Sequence, residues 1–125
     1  MTRDVRHYLF DILESIDHCE RLIAGKSVAD LERDVIARLA LERAIEIISE
    51  ASRHIPEDDK AMDGNLPWRQ IADIGNHLRH AYHLTAVALI HGVATDGVAE
   101  LKPVIERLYE RHKRPGDPWP GRPVT

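Results

Sequence analysis

The segment Gly75-Asn76-His77-Leu78-Arg79-His80-Ala81-Tyr82-His83 gathers three imidazoles, a guanidinium, a carboxamide and a phenol within nine residues. Imidazole titrates near neutrality, so His80 can serve as acid or base without unusual tuning. If the segment is helical, Asn76 and His80 are four apart and share a face, as do Gly75 and Arg79. Tyr82 would then point elsewhere, about 200° around from His80. A histidine in an amphipathic helix also serves commonly as a satisfied surface or interface residue. Both readings of His80 stand on residue type alone.

Other constellations carry less. His77, His80 and His83 step by three, but the first and last are already about 120° apart on an ideal helix. No cysteine pair and no Glu-x-x-His accompanies them, so no metal or other cofactor is expected. Glu46 and Glu50 share a face and are expected to be solvated or paired with Arg43, Arg53 or His54. The basic run Arg111-His112-Lys113-Arg114 either complements a helix dipole or supplies a local RNA-binding patch. No nucleophile elbow, phosphate-binding glycine loop or dinucleotide fingerprint occurs.

The elements that must position these groups read as helices throughout. Val5, Leu9, Ile12, Ile16, Cys19 and Ile23 form one stripe over residues 4–24, with Gly25 as a stop. Cys19 on that stripe is expected to be a small buried hydrophobe. Ser27 with Asp30 opens a short helix. A long helix follows from Glu32 to His54, its core side assigned to Val35, Leu39, Leu41, Ile45, Ile48 and Ile55, and Pro56 ends it. Residues 57–67 form a loop with a helical turn. Trp68 begins a third long helical region to about His91, interrupted at Gly75-Asn76 if Gly75 is a kink and Asn76 a cap. Gly92 breaks it, and Thr95 or Asp96 caps a last helix to His112. The expected fold is an all-α bundle of about four main helices: one domain over residues 1–113, then a Pro-rich tail over 114–125. The tail is either an arm docked through Trp119 or disordered.

Composition agrees with this. The chain has 125 residues, 43% hydrophobic and 30% charged, which suits a folded bundle with a real core. One cysteine allows no intramolecular disulfide, and the first residues hold no apolar signal region. No apolar run in the sequence approaches the ~18–20 residues that span a bilayer. A cytoplasmic protein without a membrane segment is the expectation. The net charge of −4 gives no general drive toward nucleic acid, so any RNA must meet a local patch.

Three further stretches, in order, carry a resemblance: Tyr8-Leu9-x-Asp11-Ile12-Leu13-Glu14-Ser15-Ile16, Leu41-Glu42-Arg43-Ala44-Ile45-Glu46-Ile47-Ile48-Ser49-Glu50-Ala51 and Leu66-Pro67-Trp68-Arg69-Gln70-Ile71. With the Asn76–Tyr82 segment they resemble the HepT-like branch of the HEPN superfamily, helical toxins paired with minimal nucleotidyltransferase antitoxins. The family motif reads Arg-Asn-x-x-x-His-x-Tyr. Asn76, His80 and Tyr82 take its last three named positions, and Gly75 stands where the arginine would be.

The resemblance implies a homodimeric, metal-independent ribonuclease. His80 would be catalytic with Asn76 positioning it, and Tyr82 would receive AMP from, or contact, the nucleotidyltransferase. Such cleavage needs a base for the 2′-OH, an acid for the 5′-oxygen and a cation for the phosphorane charge. Motif residues five apart diverge by about 140° and are separated by roughly 7.5 Å along a straight helix, so a kink or a second subunit must unite them. Arg79, one turn beyond Gly75, is the surrogate clamp; a dimer salt bridge for Arg79 and a dead cleft is the alternative. The runner-up function is a catalytically silent module that pairs with the nucleotidyltransferase. A metal-binding bundle comes third.

Overall fold

The computed structural model describes residues 3–120; the first two residues and the last five, the far end of the Pro-rich tail, lie outside the described residues. Helix α1 (Val5–Ile23) starts where the Asp4 carboxylate accepts from the Arg6 amide at 3.0 Å. It ends at Gly25, whose φ of +71° is a conformation L side chains rarely adopt. Its apolar stripe is buried as expected from Leu9 to Ile23, with Val5 half-buried, and Cys19 is fully enclosed. Burial first, and Glu20 second, push the Cys19 thiol up to about 12, so it is a packing group rather than a nucleophile.

Helix α2 (Val28–Arg33) carries the expected capping box: Ser27 Oγ accepts from the Asp30 amide, and Asp30 Oδ2 accepts from the Ser27 amide. Asp34 then leaves helical geometry (φ −108°, ψ 85°) and caps α3 (Val35–Ser52) through the Ala37 amide at 3.0 Å. The long helix therefore does not begin at Glu32. Of its expected core side, Leu41, Ile45, Ile48 and Ile55 are buried, whereas Val35 and Leu39 are 50% and 56% exposed. Ala37, Ala44 and Ala51 complete the inward face. The three alanines let neighbouring helices approach closely, and a count of large apolar side chains overlooks them.

After a short α4 (Glu57–Ala61) come α5 (Trp68–His80), α6 (His83–Gly92) and α7 (Val98–His112). Gly92 does not break the chain. It keeps helical angles (φ −62°, ψ −42°), and a π-helical turn, Val93–Gly97, joins α6 to α7 without a gap. Thr95 caps nothing; its hydroxyl donates to the His91 carbonyl at 2.7 Å, inside the continuous rod. A lone glycine in a helix costs only about 1 kcal/mol, which packing of Val87, Ile90, Ala94 and Val98 outweighs.

The result is an all-α bundle of four main rods: α1, α3, α5 and the continuous α6–α7. Helix α1 packs on both α3 and α7, while α5 lies against α3. The 30-residue rod His83–His112 contains an 18-residue window long and apolar enough, by length and composition, to cross a membrane. This corrects the expectation that no apolar run approaches that length. One face of that rod is buried in the bundle, through Ile90, Val98, Leu101, Ile105 and Leu108.

Over its described residues the tail is docked. Asp117 accepts from Arg6 Nη1 at 2.6 and 2.7 Å, Tyr109 donates its hydroxyl to the Pro118 carbonyl at 2.6 Å, and Trp119 lies 5.3 Å from the Tyr109 ring. Arg6 and then the Arg114 amide hold the Asp117 carboxyl below its ordinary range; the Arg6 amide does the same for Asp4. A lowered carboxylate stabilises the fold above its unfolded pKa of about 3.9, and that contribution is lost as pH falls through the lower folded value. Arg6→Ala is therefore expected to flatten the decline of Tm between about pH 5 and pH 3. Thermal melts across that window check this, and parallel wild-type and variant curves would count against it.

The basic run is answered locally as well. Arg111 and His112 approach Asp59, Lys113 approaches Glu110, and Arg114 approaches Asp4. Of its two readings, helix-end and tail anchoring has the structural support.

Candidate active site on the fifth helix

Helix α5 starts on Trp68, whose indole N–H donates to the Asp63 carbonyl at 3.4 Å and whose ring lies 5.9 Å from the Lys60 ammonium. The conditional kink is not realised, and α5 runs unbroken through Gly75 and Asn76. The reason is a seam with α3. Ser49 Oγ donates to the Ala72 carbonyl at 2.7 Å and accepts from the Gly75 amide at 3.3 Å. Arg53 adds two more donors to the Ala72 carbonyl, at 2.8 and 3.2 Å. Gly75 is buried here, and a Cβ on it would meet Ser49 Oγ at 3.3 Å and Ser49 Cβ at 3.5 Å. Glycine at this position is a close helix crossing rather than a hinge.

The break falls later, at Ala81 (ψ 146°) and Tyr82 (ψ 152°), two extended residues between α5 and α6. Tyr82 is therefore not on the His80 helix at all. It stands on the joint, 88% exposed. His83 opens α6 and donates from Nε2 to Glu32 Oε1 at 2.7 Å, which ties the joint to α2. Among the described residues no group of three or more His, Cys, Asp or Glu side chains is placed to hold a metal ion.

The remaining site residues divide between the two flanks of α5. Asn76 and Arg79 line a polar hollow of about 170 Å³ beside Gly75, with Arg43, Glu46, Ser49 and Arg53 of α3. Arg43 is 3.5 Å from Glu46 and His54 is 3.5 Å from Glu50, pairings anticipated from spacing. His80 lies on the other flank, in an open groove of about 490 Å³ between α5 and α6. There it is joined by His77, Gln70 and Thr85 over Ile74 and Leu89. The split follows from helix geometry, since adjacent residues such as Arg79 and His80 diverge by about 100°. Asn76, His77, Arg79, His80 and Tyr82 have no side-chain hydrogen bond or ion pair among the described residues. Sequence reasoning missed Arg43 and Arg53 as neighbours of the motif, because only the α3–α5 crossing brings them there.

Fold and site together define a small all-α protein whose unengaged acid–base, amide and guanidinium groups share one accessible helix. The family description "Ribonuclease HepT-like" matches residues 12–108. A protein of Thermococcus cleftensis named "Probable ribonuclease HepT" is 34% identical over 108 residues, 86% of this chain and 98% of its own. A candidate RNase of Methanocaldococcus jannaschii is 32% identical over 83% of this chain and 95% of its own. Another, from Caldanaerobacter subterraneus, is 26% identical over 86% and 96%. No solved structure matches the chain. The chain belongs to the HepT-like ribonuclease family.

Proposed function

We propose that this chain is the toxin of a toxin–antitoxin pair, a cytoplasmic endoribonuclease that cleaves RNA without metal. His80 acts in proton transfer, Asn76 positions its ring, and Arg79 supplies the cation that Gly75 does not. The observation that carries this is the set of unengaged side chains on α5, free to meet a substrate, in a family of ribonucleases. Because Arg79 and His80 face opposite flanks of one straight helix, a single chain does not aim both at one phosphate. A homodimer that lays the Arg79 flank of one subunit against the His80 flank of its partner meets that need. Ile36 at 76%, Leu84 at 73% and Tyr82 at 88% exposure, on the end of the bundle tied by His83 and Glu32, supply apolar surface for such an interface.

Purified protein incubated with RNA in chelator tests the activity directly. Cleavage to 2′,3′-cyclic phosphate and 5′-hydroxyl ends is expected. Tyr82, with its hydroxyl open to solvent, is the site that a minimal nucleotidyltransferase antitoxin would modify. With that partner and ATP, the mass of the chain is expected to rise by whole AMP units and to stay unchanged in Tyr82→Phe. Modification that persists in Tyr82→Phe would move the site elsewhere.

A second reading rests on one observation, the tight crossing at Gly75, where the resembled motif has an arginine and where even a Cβ would meet Ser49 Oγ at 3.3 Å. In that reading the chain is a silent module that binds the nucleotidyltransferase, and it predicts a stable complex without cleavage of RNA.

A further inference from the structure

We propose that His77 is the second proton-transfer group of this site, the general acid that protonates the leaving 5′-oxygen; this rests on the ribonuclease reading. His77 lies one turn from His80 on α5, and both rings line the groove between α5 and α6. Residues three apart on a helix hold their Cβ atoms about 5–6 Å from each other. At that separation two imidazoles can flank one phosphate, one toward the attacking oxygen and one toward the leaving oxygen. Both are exposed, and neither is held by another described residue. Of the other six histidines, His54, His83, His91 and His112 are engaged by Glu50, Glu32, the Lys26 carbonyl and Asp59 respectively, and His7 and His18 lie on α1, away from the groove.

The groove suits the substrate chemistry. Gln70 and Thr85 offer hydrogen bonds to sugar or base, and Ile74 with Leu89 gives an apolar floor on which a base can lie. Among the described residues that line it there is no carboxylate, lysine or arginine beside the two imidazoles. The neutral His80 ring takes the 2′-OH proton. The 2′-oxygen then bonds to phosphorus as the P–O5′ bond breaks, and His77, protonated, gives its proton to the departing 5′-alkoxide. The product is a 2′,3′-cyclic phosphate and a free 5′-hydroxyl, with no water consumed. His80 leaves the step protonated and His77 neutral, and solvent exchange restores both.

The test compares wild type, His77→Ala, His77→Gln and His80→Ala on two oligoribonucleotides. One has an ordinary phosphodiester and the other a bridging 5′-sulfur at the cleavage site, whose thiolate leaves without protonation. On the ordinary substrate both His77 variants are expected to lose on the order of 10²-fold or more in rate. On the sulfur-bridged substrate they are expected to recover to within a few fold of wild type, whereas His80→Ala stays slow. The alkaline decline of the wild-type pH–rate profile, which reports loss of the acid's proton, should also disappear in His77→Ala. Unchanged cleavage by His77→Ala, or an equal loss on both substrates, overturns the assignment of His77 and leaves the ribonuclease reading intact. Wild type that cleaves neither substrate overturns the ribonuclease reading and this assignment together.

Discussion

His80→Ala is expected to lower RNA cleavage by about 10²–10⁴-fold, the range spanned by loss of a positioned acid–base group. That corresponds to roughly 3–5 kcal/mol of lost transition-state stabilisation. Stability should not change with it. His80 is exposed and held by no other described side chain, so its removal opens no cavity and strands no buried partner. Arg79→Ala, made alongside, is expected to lose about 10²-fold, as when one stabiliser of the developing phosphorane charge is withdrawn. It too should melt with wild type, because Arg79 makes no described ion pair. The decisive measurement is initial rate in chelator beside a melting curve for each variant. A His80→Ala protein that cleaves at the wild-type rate would trace the activity to a contaminant and sink the reading.

Placing an arginine at position 75, where the resembled motif has one, is expected to damage this chain. Gly75→Arg places a long side chain where even a Cβ stands 3.3 Å from Ser49 Oγ and 3.9 Å from the Glu46 backbone. Either α5 lifts off α3 or the Ser49 and Arg53 contacts with the Ala72 carbonyl are lost. Overpacking of this kind costs about 1–3 kcal/mol and occasionally more, and the buried setting of Gly75 puts it at the upper end. For a domain of this size that is a Tm lower by roughly 10 °C. Gly75→Ala should be much milder, since a helix-propensity gain of about 1 kcal/mol offsets the tight methyl contact. Ser49→Gly in the Gly75→Arg background should recover part of the loss if the crossing is the cause. The tempting opposite outcome, a stable and more active Gly75→Arg protein, would mean that Gly75 is a simple loss of the clamp. Differential scanning calorimetry and cleavage rates on the same samples decide between them.

How far the residues alone carried depended on the range of the interaction involved. The α1 stripe, the Ser27–Asp30 capping box and the stop at Gly25 are local, set by spacing and φ within a few residues, and all were legible. Helix breaks were less so. Gly75 and Gly92 are weak helix formers and were read as a conditional kink and a break; burial against α3 holds Gly75 in helical geometry, whereas Gly92, itself exposed, is carried in a rod whose neighbours Val87, Ile90, Ala94 and Val98 are buried. The real break at Ala81-Tyr82 carries no glycine or proline to announce it.

What the sequence by itself determined was the class, an all-α bundle with its main hydrophobic stripes, and a resemblance in the spacing of Asn76, His80 and Tyr82, with Arg79 one turn beyond Gly75. What only the tertiary structure decided was which of these meet. Periodicity assigns a residue to a face of its own helix, but the neighbour across that face comes from packing. The α3–α5 crossing gives Arg79 and Asn76 the company of Arg43 and Arg53, and the α5–α6 joint gives His80 the company of Thr85 and Leu89. It also takes Tyr82 off the helix and sets it in solvent. Those placements depend on contacts between residues far apart in the chain, such as Ser49 with Ala72 and Glu32 with His83, which spacing along a single helix does not encode.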